Sequence, residues 1–162
     1  MKNLFARVAV AIGVLLLSPM LSQSQNSPRF NLRSLQGDYA VVNHYGASLA
    51  LGIGTIHFDG DGNISQGTLL LNRPTSTGTR ELVSLTSRGT YSLNEDGTGT
   101  IFLEVTLPDG TVKTATEDFV ITRNVWVRGQ LVAAEVIDEQ REPSLVLGNG
   151  VFVTQTYTRR GE

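Results

Sequence analysis

The stretch Gly89-Thr90-Tyr91-Ser92-Leu93-Asn94-Glu95-Asp96-Gly97-Thr98-Gly99-Thr100 holds the ends of two strands and the turn between them. Thr, Tyr and Leu on either side favour extended backbone. Asp96-Gly97 supplies the residue that tolerates positive φ where a tight hairpin needs it. The same punctuation returns at Asp59-Gly60-Asp61-Gly62-Asn63 and at Pro108-Asp109-Gly110, each between apolar runs. Looser polar loops are expected at 73–78 and 138–143. Between these breaks the sequence predicts strands near 37–45, 48–58, 64–72, 80–86, 88–93, 98–107, 111–123, 125–137 and 146–158. Gly129 marks a bend or bulge within the 125–137 strand. No stretch carries a convincing helical stripe, and Asn31 to Leu35 is the one short helical candidate.

Eight or nine antiparallel strands with short links must hide their edges. Consecutive tight hairpins favour a single all-β, antiparallel up-and-down barrel of about eight strands, because a β-sandwich, the alternative, usually needs long crossovers. Val, Ile and Thr together make up about a quarter of residues 25–162, in keeping with strands. The 162 residues suit one domain. Its zero Cys excludes disulfides, Cys-ligated metals and Cys nucleophiles. A net charge of -2 argues against a basic nucleic-acid surface.

Residues 1–24 read as a signal peptide. Lys2 and Arg7 form a short basic region, Val8 to Leu17 an apolar run too short to span a bilayer, and Ser22-Gln23-Ser24 a small-residue cleavage site. An uncleaved anchor is the rival reading. Cleavage after Ser24 leaves 11 Lys+Arg against 15 Asp+Glu, a mildly acidic protein that is secreted, periplasmic or extracellular, with no membrane association. Residues 25–34 are expected as a flexible lead-in and 35–160 as the barrel domain.

Three stretches together, Leu35-Gln36-Gly37-Asp38-Tyr39, Phe58 to Asn63 and Gly89 to Thr100, resemble small exported bacterial proteins of cyanobacterial type. Those proteins look like calycin or allene-oxide-cyclase-type barrels. The resemblance covers roughly residues 35–122, implies the barrel, and brings no functional residue with it.

The chemistry-bearing residues are few. Asp59, Asp61 and Asn63 alternate as calcium ligands do, yet Ile64 and Leu70 stand where an EF-hand needs Gly and Glu, so a hairpin turn explains them. His44 and His57 fit no compact metal motif, and no Gly-x-Ser-x-Gly elbow is present. No metal or cofactor is expected. Small residues from Gly46 to Gly54 suit a tight corner or a close strand approach rather than a phosphate loop.

The informative residues are polar ones on apolar faces. Asn43 lies between Val41 and Tyr45, Gln155 between Val153 and Tyr157, and Glu135 between Ala133 and Ile137. If these odd positions face inward, Tyr39, Asn43, Tyr45, Glu135, Gln155 and Tyr157 form a ligand-binding interior, with Arg159 on the same face as a partner for Glu135. A buried carboxylate must be paired or protonated. The even faces carry apolar residues too, notably Trp126 and Phe102, which suggests a homo-oligomer surface or a covering N-terminal segment. Three functions follow: a non-enzymatic binding module for a small apolar molecule, a structural or envelope protein acting through homo-oligomer assembly, and a barrel isomerase or cyclase with Glu135 as its base.

Overall fold

The computed structural model describes residues 29–46, 50–144, 146 and 150–161. The expected signal peptide and residues 25–28 lie outside the described residues. Eight strands follow in chain order: β1 (Gln36–Tyr45), β2 (Ala50–Asp59), β3 (Asn63–Pro74), β4 (Arg80–Leu93), β5 (Thr98–Thr106), β6 (Val112–Val127), β7 (Gln130–Gln140) and β8 (Val153–Arg159). Each pairs antiparallel with its neighbours in sequence, and β1 pairs with both β2 and β8, so the sheet closes on itself as a barrel. Closure removes the edges that an open meander would expose.

Strand alternation builds the interior. In β1 the odd residues Tyr39, Val41, Asn43 and Tyr45 are buried while Ala40, Val42 and His44 are exposed. In β8, Val153, Gln155 and Tyr157 are buried. The filling falls into two apolar clusters along the barrel axis. One, around Tyr39, Phe58, Ile101, Phe119 and Tyr157, fills one half. The other, around Tyr45, Ala50, Leu71, Leu85 and Val153, fills the other half. Within the first, the Phe58 ring meets Tyr39, Tyr91 and Tyr157 edge-on at centroid distances of 5.4, 5.2 and 6.1 Å, the geometry that ring quadrupoles favour.

Besides the last strand, which begins at Val153 and not near 146, four features differ from the expected strand map. The runs 80–86 and 88–93 are one strand, β4, because Ser87 and Arg88 keep the pleat and pair on to Val105 and Glu104 of β5. The β6–β7 turn falls at Arg128-Gly129 rather than near 124, so Gly129 makes a hairpin and not a bend within a strand. Both central residues have positive φ, 49° and 80°, as a two-residue turn that matches strand twist requires. Asp138 and Gln140, expected in a loop, belong to β7. Finally, residues 29–34 of the expected flexible lead-in are packed against the barrel. The expected short helix at 31–35 is a 3-10 turn, Leu32–Ser34, capped by Asn31.

That segment crosses one end of the barrel. Phe30 N–H donates to the Glu95 carbonyl at 3.1 Å, in the β4–β5 turn. The Tyr91 hydroxyl lies 2.9 Å and 2.8 Å from the carbonyls of Leu32 and Leu35. Gln130, just past the β6–β7 turn, reaches Ser34 Oγ at 3.5 Å. With Leu35 fully buried, this end is stoppered by the chain itself. The expected close strand approach is found at Gly54: a Cβ there would stand 1.8 Å from the carbonyl oxygen of Thr68 on β3.

Candidate functional site

A belt of polar side chains crosses the interior between the two apolar clusters. Asn43 is the register partner of Gln155, and Gln155 of Asp138. Glu117 on β6 is the partner of Gln140 on β7. Antiparallel pairing thus places five polar groups from four consecutive strands, β6, β7, β8 and β1, on one side of the barrel wall. Asn43, Glu117, Asp138 and Gln155 are only 4%, 1%, 2% and 6% exposed.

Their contacts form one network. Tyr157 donates its hydroxyl proton to Asp138 Oδ2 and lies 3.3 Å from Glu117 Oε2. Gln155 Nε2 donates to Asp138 Oδ2 at 3.3 Å, and Gln140 Nε2 to Glu117 Oε1 at 3.4 Å. A carboxylate fixes the orientation of each amide, because only the N–H end can face it. Asn43 Nδ2 donates to the Tyr45 hydroxyl at 3.5 Å. Asn43 Oδ1, Asp138 Oδ1 and Gln140 Oε1 are buried with no hydrogen-bond partner among the described residues.

Burial sets the protonation of this network. Loss of hydration raises the Glu117 carboxyl above its ordinary range, against the hydrogen bonds that favour its charged form. Asp138 is raised as well, first by burial and then by the neighbouring Glu117 charge. Both carboxyls are therefore held above their ordinary range, and two this close resist ionising together. Tyr45 is pushed up to about 12 by burial, and Tyr157 is raised well above its usual value. Both phenols are neutral donors.

The belt faces a cavity of about 60 Å³. At about 10–15 Å³ per water, that is room for about four to six waters or a compact organic molecule. Asn43, Tyr45, Glu117, Gln140, Gln155 and Tyr157 form its polar side; Val41, Ile56, Leu69, Leu85, Leu103 and Val105 form its apolar side. Ser144 and Val146, from the β7–β8 connection, line it as well, so the cavity sits toward the end opposite the stoppering segment.

Four of the six expected binding residues, Asn43, Tyr45, Gln155 and Tyr157, line this cavity together. Tyr39 faces inward but sits in the stoppered half, where its hydroxyl donates to the Ala133 carbonyl at 2.9 Å. Glu135 is not in the interior. It points out of the barrel and accepts from Thr122 Oγ1 at 2.9 Å. The physical reason is a register shift between β6 and β7 at Arg123 and Asn124. It turns Ala133 inward on one side and Val136 and Asp138 inward on the other, leaving Glu135 outside. Arg159, considered as its partner, lies at the stoppered end beside Gly37. The isomerase or cyclase reading thereby loses its candidate base to the outer surface.

Glu117, Asp138 and Gln140 escaped the sequence reading. Glu117 interrupts the inward row Ala115, Phe119 and Ile121 just as Asn43 interrupts Val41 and Tyr45, so the same pattern could have found it. Elsewhere the turn chemistry is local. The Asp59 carboxylate accepts from the backbone of Asp61 and Asn63 at 2.7 and 2.9 Å, the work of a hairpin turn. His57 Nδ1 pairs with Asp38 at 2.8 Å on the surface, and His44 faces outward.

Comparison with protein-family models, with curated proteins and with solved structures finds no match to this chain.

Proposed function

We propose that this protein is a non-enzymatic binding module, an exported barrel that holds one small molecule of largely apolar body in the cavity beside Asn43 and Glu117. The observation that supports this reading most is the mismatch between the cavity's two sides. Aliphatic side chains from β2 to β5 offer an apolar surface, while the belt from β6 to β1 presents buried polar atoms with no hydrogen-bond partner among the described residues. A buried acceptor without a donor costs about 1–3 kcal/mol. A bound molecule that supplies the donor recovers that cost, whereas a purely structural barrel gains nothing from keeping it. Small eight-stranded barrels have interiors of this scale, filled by side chains or by one small ligand.

Native mass spectrometry of protein purified from its own host tests this directly. A stoichiometric small-molecule adduct, released on denaturation, is the expected result. A clean apo mass at every concentration, with unchanged melting on addition of small apolar probes, overturns it. The same spectrum reads the mature mass, expected to correspond to cleavage after Ser24.

A second reading is assembly through the outer face. Val42, Ile53 and Leu70 are register neighbours across β1, β2 and β3 and are 40%, 62% and 40% exposed. An uncharged row of this kind suits a second copy of the chain. Sedimentation of wild type against Ile53→Lys checks it: self-association that the substitution abolishes supports assembly, and monomer at all concentrations removes it.

A further inference from the structure

We propose that the molecule this cavity takes is a small primary alkylammonium ion, its charged head on Asn43, Glu117 and Gln140 and its alkyl body against the aliphatic wall. This rests on the binding-module reading and adds the chemical class of its ligand.

The first argument is charge. Glu117 and Asp138 are buried side by side, and the residues lining the cavity include no Lys, Arg or His among those described. The titratable groups facing the pair are Tyr45 from β1 and Tyr157 from β8, both neutral; β2, β3, β4 and β5 contribute no ionisable side chain to the lining. A buried carboxylate with no cationic partner must take up a proton or acquire a cation from outside. Glu117 is the member of the pair that lines the cavity; Asp138 is not among the lining residues.

The second argument is the count of acceptors. Among the described residues Asn43 Oδ1, on a side chain 4% exposed, and Gln140 Oε1 have no hydrogen-bond partner. Both residues line the same cavity as the Glu117 carboxylate, whose own contacts are long, 3.3 and 3.4 Å. Three acceptor groups from β1, β6 and β7 match the three N–H donors of an –NH₃⁺ head. Two are amide oxygens that cannot themselves donate, so an anionic or acceptor-only head finds no donor in either.

The third argument separates an organic cation from a metal ion. A third of the lining residues are the aliphatic Val41, Ile56, Leu69, Leu85, Leu103 and Val105. Hard metal ions need six or more oxygens or retained waters around them, which these aliphatic side chains do not supply. An alkyl chain is stabilised by them.

The test compares isosteric probes on the intact protein by methyl NMR and calorimetry: n-butylammonium, 1-butanol and butanoate, with calcium chloride as the metal control. The expected result is saturable binding of n-butylammonium, with shifts at Val41, Ile56, Leu69, Leu85 and Leu103. It should be at least about tenfold tighter than 1-butanol, corresponding to a charge-assisted hydrogen bond or more. Binding should weaken as pH falls, because Glu117, raised by burial, takes up its proton while the amine stays charged. Glu117→Gln should cost about tenfold for n-butylammonium and leave 1-butanol unchanged. The wild-type probe comparison and pH series stand without that variant should it not fold. Binding of 1-butanol or butanoate as tightly as n-butylammonium overturns the ammonium assignment and leaves the binding-module reading intact, and so does calcium taking the site in its place. No binding of any probe overturns both.

Discussion

Glu117 and Tyr157 are forty positions apart and on strands that are not neighbours, yet their side chains meet at 3.3 Å inside the barrel. The Tyr157 hydroxyl also donates to Asp138, so one phenol braces two carboxyl groups. Its ring is held independently by the edge-on contact with Phe58 at 6.1 Å. Tyr157→Phe therefore removes the brace and keeps the packing. Left with one donor fewer, the buried carboxyls should destabilise the fold by about 1–3 kcal/mol, read as a lower urea midpoint at pH 7 with an unchanged m-value. An unchanged midpoint would show that the hydroxyl contributes nothing to holding the pair.

Stability should fall as pH rises above the ordinary carboxylate range. Glu117 and Asp138 are both raised in the folded state by burial, so between the unfolded value near about 4 and their folded values the native chain binds more protons than the unfolded one. Their contribution is then fully present at the acid side of that window and lost as pH climbs through it. Asp59 and Asp118 are lowered, by Asn63 and Arg141 respectively; their stabilisation is lost only below the ordinary range, as pH falls through their depressed values. The two effects thus act in separate windows. Urea unfolding from pH 4.5 to 8.5 should give a declining profile, and Glu117→Gln with Asp138→Asn should flatten it. A wild-type profile that rises across that range contradicts the assignment of raised values to the pair.

The stopper should detach through Tyr91. Its hydroxyl is shared between the Leu32 and Leu35 carbonyls, and burial pushes it up to about 12, so it remains a donor at every physiological pH. Tyr91→Phe removes that shared donor, leaving the Leu32 carbonyl only its bond from the Leu35 N–H, with the Phe58 contact at 5.2 Å intact. Faster amide exchange confined to residues 30–36, with β6 and β7 still protected, is the expected signature. Uniformly faster exchange across the barrel would mean that the stopper and the sheet open as one unit.

Alternation made the interior legible wherever a strand was read with the right ends. Asn43 and Gln155 stood out because Val41, Tyr45, Val153 and Tyr157 flank them, and the structure brings that pair face to face. Asp138 was missed for two reasons. It adjoins Glu139, Gln140 and Arg141, a polar run that reads as a loop. The preceding turn also hides in Arg128-Gly129, where Arg occupies a position that hairpins usually give to Asn, Asp or Gly. A strand begun at Gln130 puts Val136, Asp138 and Gln140 on one row. The shift at Arg123 and Asn124 that sends Glu135 outward has no local signal, since a register slip depends on the partner strand. Closure itself was legible in the chain of short hairpins.

Two glycines should respond to the same substitution for different reasons. Gly129 has φ of 80° and open space around its missing Cβ, so Gly129→Ala meets no neighbour and costs only the backbone term, about 1–2 kcal/mol for an L-residue held in the left-handed region. Gly54 lies within β2, where a Cβ would collide with the Thr68 carbonyl at 1.8 Å, and with backbone rather than a movable side chain. Gly54→Ala must push β2 and β3 apart where the wall of the cavity is made, since Thr55, Ile56, Thr68 and Leu69 all line it. Its cost should reach or exceed the upper end of the about 1–3 kcal/mol typical of overpacking. Thermal unfolding of the two variants side by side reads the ranking, and the methyl shifts of Ile56 and Leu69 read its cause. If Gly54→Ala proves the milder of the two with those methyls unmoved, the close approach of β2 to β3 is not a constraint on the barrel.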